Sequence, residues 1–263
     1  MNLGDLVRGN APLVIDMPHA GTHLPASLAE RLTPVARTVP DTDWHVEKLF
    51  AFARDADVTM FVATHSRYVV DLNRDPSGFA LYPGTDNTEL CPTRTFANEP
   101  LYTDGRNLDA REIASRRAEY FASYHAQLAA EIERIHARHG YAILLDGHSI
   151  RSEVPRFFAG RLPDLNLGTV DGASCAPSVQ EAAELVLAGA AAFTSVINGR
   201  FKGGYVTRHY GDPSRGVHAL QLEIAQACYM DENPPYPWNA QRAAPLVDVL
   251  SRLVAALLQW RRE

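Results

Sequence analysis

The residues of this chain that have the chemistry of an active site stand where short apolar runs end. Four of them share this placement: His19 after residues 13–17, Arg74 after residues 68–70, His148 after residues 141–145, and Glu223 after residues 220–222. In open α/β sheets, ligands bind in the crevice outside the carboxyl ends of the strands. Two histidines and a carboxylate at such an edge indicate a catalytic zinc ion.

The two histidines lie in different local motifs. In Asp146-Gly147-His148-Ser149, a strand end and a glycine present an imidazole that Asp146 or Ser149 can hold in place. In Pro18-His19-Ala20-Gly21, the glycine lets the backbone turn, and small neighbours leave room for a metal or a substrate. A purely structural histidine is the alternative for each motif.

The third ligand is predicted from an acidic cluster at residues 41–47, which opens a predicted helix. Asp41 or Thr42 in this cluster is equally suited to cap the helix, and Asp43 is favourable near the positive helix end. Helix capping does not require three acidic residues and a histidine within seven positions. We therefore predict Asp43 as the ligand, with Glu47 as the second choice.

A cation at the end of a predicted strand and a carboxylate within an apolar run complete the set. Arg74 in Asp71-Leu72-Asn73-Arg74 either pairs with a neighbouring aspartate or binds a substrate carboxylate through its planar guanidinium. Arg67 is a second candidate for binding a substrate carboxylate. Glu223 interrupts an apolar strand, and carboxylates are rarely buried without a partner. We predict that Glu223 is a general base.

The composition restricts the class of protein. The chain has 263 residues, 46% hydrophobic and 21% charged, with a formal net charge of −6, which argues against a nucleic-acid partner. Its three cysteines show no CxxC spacing, and its first ten residues lack the apolar core of a signal peptide, so we expect a cytoplasmic protein. The longest apolar stretch, residues 182–197, is too short and too interrupted for a membrane span. Oligomeric state cannot be read from these features.

Apolar periodicity predicts alternating strands and helices. Strands are predicted at residues 13–17, 58–63, 68–72, 141–145, 195–197, 204–207 and 219–224, and helices at residues 26–32, 43–56, 109–139, 178–192 and 237–261. This alternation implies an α/β fold with three αβα layers and a mixed central sheet. Without an evident linker, residues 1–263 form one predicted domain. Residues 75–102, rich in proline and glycine, are predicted to be a functional loop.

Taken together, these segments resemble the N-formylglutamate amidohydrolase (N-formylglutamate deformylase) family, and more distantly the zinc carboxypeptidases and aspartoacylase. The resemblance rests on six stretches in this order: 18–21, 41–46, 64–74, 81–84, 146–149 and 203–208. It departs from the distant relatives at Thr22, where they carry a glutamate ligand three residues after the first histidine. The missing carboxylate must then come from elsewhere, and the segment around Asp43 is the nearest acidic cluster.

The resemblance implies a zinc-carboxypeptidase-like (phosphorylase/hydrolase-like) architecture and a zinc-dependent hydrolysis of N-formyl-L-glutamate to formate and L-glutamate in histidine degradation. Its implied site has three parts: zinc ligands His19, Asp43 and His148; catalytic residues Glu223 as base and Arg208 at the oxyanion; and Arg74, Asn73 and Arg67 binding the carboxylates of a small dianionic substrate.

Other interpretations remain open at this point. One is another N-acyl amino acid deacylase or a small metallo-carboxypeptidase on the same scaffold. Another is a metal-free carboxylate-binding protein. Manganese, iron or cobalt suits histidine and carboxylate ligands as well as zinc does.

Overall fold

The computed structural model describes residues 3–80, 84 and 86–262. Across these residues, a seven-stranded sheet has the order β1-β3-β2-β4-β7-β5-β6. The strands are β1 Gly4–Val7, β2 Leu13–Met17, β3 Thr59–Ala63, β4 Ala142–Ile150, β5 Leu165–Gly168, β6 Ser195–Ile197 and β7 Val217–Ala225. The four strands β3, β2, β4 and β7 run parallel, whereas β1 and β5 pair antiparallel to their neighbours β3 and β7. The predicted mixed sheet is confirmed.

Helices cover both faces of the sheet. They are α1 Ala26–Ala29, α2 Val46–Leu49, α3 Ala110–Arg116, α4 Ala122–His139, α5 Pro177–Ala188, α6 Tyr205–Tyr210 and α7 Ala240–Gln259. Helices α2, α5 and α7 share one core cluster with Ile15 and Leu145, and α4 shares another with Val14 and Leu144. Neighbouring residues of a strand point to opposite faces, so β2 and β4 are buried on both sides, and each begins with a continuous apolar run.

Pairing of the central strands aligns the polar residues near their carboxyl ends. Asp16 on β2 is the register partner of Asp146 on β4, and His148 on β4 is the partner of Glu223 on β7. Because these strands are parallel, their carboxyl ends meet at one edge of the sheet. Backbone pairing therefore brings residues from distant parts of the sequence side by side.

Two predicted strands are wrong. Residues 68–72 form turns, in which the Val69 amide bonds the Ser66 carbonyl, and their side chains are buried by packing rather than by strand pairing. Residues 204–207 lie at the start of helix α6 because the Val206 amide donates to the side-chain oxygen of Asn73, a partner that lies far away in sequence.

The predicted helix at residues 43–56 is shorter than expected. His45 has a left-handed backbone (φ 62°), so α2 begins only at Val46, and a short 3₁₀ turn follows it. The helix predicted at 109–139 is present as α3 and α4 joined by a π-helical turn, and it ends at Gly140 in a left-handed conformation as C-caps commonly do.

Residues 75–102 are irregular as predicted, although three residues of the 81–84 motif and residue 85 lie outside the described residues. Within the described residues, the helices lack the combination of length and apolarity needed to cross a bilayer.

Candidate active site

The structure brings three predicted ligands together at the carboxyl edge of the sheet. His19 follows β2, His148 lies near the end of β4, and Asp43 precedes α2 with its amide bonded to the His19 carbonyl at 3.1 Å. All three are buried, and one possible ligand atom from each lies within 4.8 Å of the others. This group could hold a metal ion.

Each imidazole points one nitrogen into the group and the other at a buried aspartate. Asp43 Oδ2 lies 2.9 Å from Nδ1 of His148 and 3.9 Å from Nδ1 of His19. On the outer side, His19 Nε2 lies 2.7 Å from Asp71 Oδ1, and His148 Nε2 lies 2.9 Å from Asp146 Oδ1. Metal-bound histidines are commonly oriented by carboxylates in this way. The donor set therefore fits zinc or another divalent transition metal.

Burial and neighbouring charges shift the pKa values of all three side chains. Burial and the Arg67 charge lower the pKa of His19 to about 4, so its imidazole is neutral. Burial disfavours charge on His148 too, but Asp146 and Asp43 outweigh it and hold the pKa of His148 well above its usual range. Burial also opposes ionisation of Asp43, yet its hydrogen bond with His148 brings its pKa below the ordinary value. A bound cation would take the place of the His148 proton.

Asn73 ties this group to helix α6. Its Nδ2 donates to Asp146 Oδ2 at 3.0 Å and lies 2.8 Å from His148 Nε2, while its Oδ1 accepts the Val206 amide. A Cβ at Gly204 would lie 2.4 Å from that Nδ2, which explains the glycine there. The amide of Asn73 is thus engaged by the protein even though the residue borders the cavity described next.

A cavity borders this group at His19. Among the described residues its wall contains three groups of side chains: the cations Arg67, Arg74 and Arg200; the carboxylates Asp86 and Glu223; and the aromatic rings Phe96, Phe157 and Phe201, with His19 and Asn73 also on the wall. Glu223 is buried, and burial raises its pKa to about 8. The cavity combines a candidate metal centre, a carboxyl group beside it and several guanidinium groups.

The predicted arginines occupy different places. Arg67 is buried, donates to Asp71 Oδ2 at 2.6 Å and lies 3.8 Å from Asp43 Oδ1. Arg74 donates to Thr88 Oγ1 at 2.7 Å on the cavity wall. Arg208 is exposed on α6, where its Nε bonds the carbonyl of Gly203, and it is not among the described residues of the wall. The structure does not bring Arg208 to the predicted position.

Sequence reasoning missed Arg200 and the role of Asp71. Arg200 follows the Asn198-Gly199 turn after β6, and a cation just past a predicted strand was a usable signal. Asp71 had been considered only as a possible ion-pair partner of Arg74, whereas it contacts His19. Glu47, the second choice for a ligand, is partly exposed on α2 and lies outside the group.

Known proteins resemble the chain over nearly its whole length. A sequence model of the N-formylglutamate amidohydrolase family matches residues 11–230. N-formylglutamate deformylases of Pseudomonas putida and Pseudomonas aeruginosa are 44% and 47% identical to it over 256 residues, which cover 97% of this chain and 96% of each relative.

Solved structures agree with these sequence matches. The crystal structure of N-formylglutamate amidohydrolase from Ralstonia eutropha is 27% identical, with a TM-score of 0.81 and 97% of both chains covered. A gene product of Agrobacterium tumefaciens, 17% identical, has a TM-score of 0.71 over 98% of this chain and 95% of its own, and shows the same fold.

Proposed function

Because the chain belongs to the N-formylglutamate amidohydrolase family, we propose that it hydrolyses N-formyl-L-glutamate to formate and L-glutamate, as the last step of one bacterial route of histidine degradation. The observation that carries the proposal is the buried group of His19, Asp43 and His148, whose member His19 lines a cavity that also contains arginines. The proposal treats residues 1–263 as one catalytic domain.

We further propose that the group holds a divalent metal ion, with zinc as the first choice. When bound, such an ion polarises a carbonyl oxygen and lowers the pKa of water. His19 and His148 would hold it, each through the Nδ1 atom that faces Asp43, together with a carboxylate oxygen of Asp43. Asp71 and Asp146 keep the two rings in the orientation that binding requires.

Glu223 is suited to move the proton of the reaction. Hydrolysis adds water to the formyl carbon, breaks the bond between that carbon and the amide nitrogen, and needs a proton on the departing amine. Glu223 on β7 is the register partner of His148 on β4, and it lines the cavity. In its carboxylate form, which a nearby bound cation would favour, Glu223 takes a proton from the attacking water and returns it to the amine.

We assign Arg67, rather than Arg208, as the cation beside the reaction centre. Its guanidinium is fixed by Asp71 at 2.6 Å and by the ring of Phe96, whose centroid lies 4.8 Å away. It lies 3.8 Å from Asp43, so it stands next to the site where negative charge develops on the formyl oxygen. A donor that is already oriented stabilises this charge without reorganisation.

Arg74 is the residue that we assign to the α-carboxylate of the substrate. Its Nε lies 4.0 Å from Asp71 Oδ2, and Asp71 in turn contacts His19, so Arg74 stands one side chain away from the candidate metal centre. The α-carboxylate is attached to the carbon that carries the scissile nitrogen and must lie equally close to that centre. Asn73 supports this grip, since its backbone carbonyl accepts from Arg74 Nη1.

The direct test is formate release by the purified protein after its metal content has been measured. We expect turnover of N-formyl-L-glutamate, little turnover of N-acetyl-L-glutamate or of peptides, and loss of activity after chelation that zinc restores. A protein with one bound metal ion per chain that releases no formate from N-formyl-L-glutamate would overturn the proposed reaction. Full activity after complete removal of metal would overturn the metal requirement alone.

A further inference from the structure

Arg200 has its guanidinium fixed on the cavity wall by two aromatic residues. It follows β6 through a turn at Asn198, which has a left-handed backbone (φ 50°). Its Nε donates to the Phe157 carbonyl at 2.8 Å, and its guanidinium carbon lies 5.4 Å from the centre of the Phe201 ring. These contacts set the direction of the side chain along the wall of the cavity.

Arg200 and Arg74 reach the cavity from segments that belong to different parts of the sheet. Arg200 enters from β6, the edge strand, which is three strands away from β4 and so about 14 Å across the sheet. Arg74 belongs to the segment that contacts His19 and His148 through Asp71 and Asn73, beside β2 and β4. Strand β7, which carries Glu223, lies between β4 and β6 in the strand order.

The two carboxylates of the substrate also differ in their distance from the reaction centre. In N-formyl-L-glutamate the α-carboxylate lies next to the scissile amide, whereas the γ-carboxylate is two methylene groups further from it. If the amide lies over the candidate metal centre and the α-carboxylate meets Arg74, the side chain extends toward β6. Phe157 and Phe201 on that side offer apolar surface for the two methylene groups.

We propose that Arg200 binds the γ-carboxylate and thereby selects glutamate over glutamine as the amino acid of the substrate; this assignment rests on the proposed function. Arg67 is the third cation of the wall, but it is engaged by Asp71 beside the reaction centre. Asp86 also faces the cavity, and Arg156 holds it through two contacts of 2.9 and 3.0 Å, which offsets its repulsion of an anionic substrate.

The test compares two substrates that differ only at the distal group, N-formyl-L-glutamate and N-formyl-L-glutamine. For Arg200→Met we expect kcat/KM on the glutamate substrate to fall by about 10²–10³-fold, as for loss of one partner of a desolvated charge pair. On the glutamine substrate we expect a change below about threefold, because no charge pair is lost. The preference for glutamate should therefore collapse.

Two further variants make the comparison specific. Arg74→Met should lower kcat/KM on both substrates, because both carry the α-carboxylate. Arg252→Met, on the exposed side of α7 and paired with Asp248, is the matched control and should change neither. Arg200→Lys retains the charge without the planar guanidinium and should give an intermediate preference for the glutamate substrate. If thermal unfolding shows that Arg200→Met is misfolded, the lysine variant tests the assignment of Arg200.

The outcomes separate the two levels of the proposal. Wild-type protein that carries its metal and releases no formate from the glutamate substrate would overturn the proposed function. Active wild type combined with a folded Arg200 variant that loses both substrates equally, or loses neither, would overturn only the assignment of Arg200. A selective loss on the glutamate substrate would establish it.

Discussion

Replacing Glu223 by glutamine should stabilise the metal-free protein while it abolishes catalysis. Burial raises the pKa of Glu223 from 4.5 to about 8, a difference of about 3.5 that corresponds to about 5 kcal/mol. A carboxyl whose pKa is raised in the folded state contributes stability that is complete below pH 4.5 and is lost as the pH rises to about 8. Glutamine keeps the shape of the side chain and removes this dependence.

The assay is urea unfolding of chelator-treated wild type and Glu223→Gln at several pH values. Between pH 5 and pH 8, the wild type should lose about 3–4 kcal/mol of unfolding free energy relative to the variant. Glu133→Gln, on the exposed side of α4, is the matched control, and its curve should run parallel to that of the wild type.

Parallel curves for wild type and Glu223→Gln over this range would refute the reasoning, as would a variant that is less stable at pH 8. The metal-loaded variant should also lose turnover by about 10²–10⁴-fold, because glutamine cannot accept a proton. Stabilisation without loss of turnover would confirm the burial argument and remove Glu223 from the mechanism.

The other predictions concern metal binding. His148→Ala should remove most of the bound metal, and stoichiometric metal in the purified variant would reject the ligand set. Asp43→Ala should lose metal and Glu47→Ala should retain it, and the reverse result by metal analysis would exchange these two residues. Asp71→Asn should weaken metal affinity by about 10–100-fold in competition with a chromogenic chelator, because His19 loses its orienting carboxylate; unchanged affinity would make Asp71 a partner of the arginines only.

The central strands could be predicted because their local signal and their final environment agree. Four of the five residues at 13–17 are apolar, and all five are buried in β2, so the predicted bounds of this strand match the structure. The polar residues past such strands were therefore recognisable as candidates for a site. Residues 68–72 carry the same local signal, but turns and packing rather than pairing bury them, and sequence pattern cannot distinguish the two.

Long-range contacts explain what the sequence could not show. The resemblance implied Arg208 at the oxyanion, yet the Val206 amide bonds Asn73, the segment around it is helical, and Arg208 is exposed there. Which acidic residue of the 41–47 cluster faces the histidines depends on the left-handed backbone at His45, and residue spacing does not reveal it. Arg200 joins the cavity only because β6 is added at the far edge of the sheet.

One buried carboxylate, that of Asp71, serves both halves of the candidate site. Its Oδ1 meets His19, while its Oδ2 meets Arg67 and lies near Arg74. Whatever fixes this carboxylate for one partner fixes it for the other, so we expect the occupancy of the metal and the affinity for the dianion to be thermodynamically linked. Linkage is reciprocal: the enzyme should hold its metal most tightly while substrate or L-glutamate is bound. A metal dissociation constant measured without ligand would then understate how well the metal is retained during turnover.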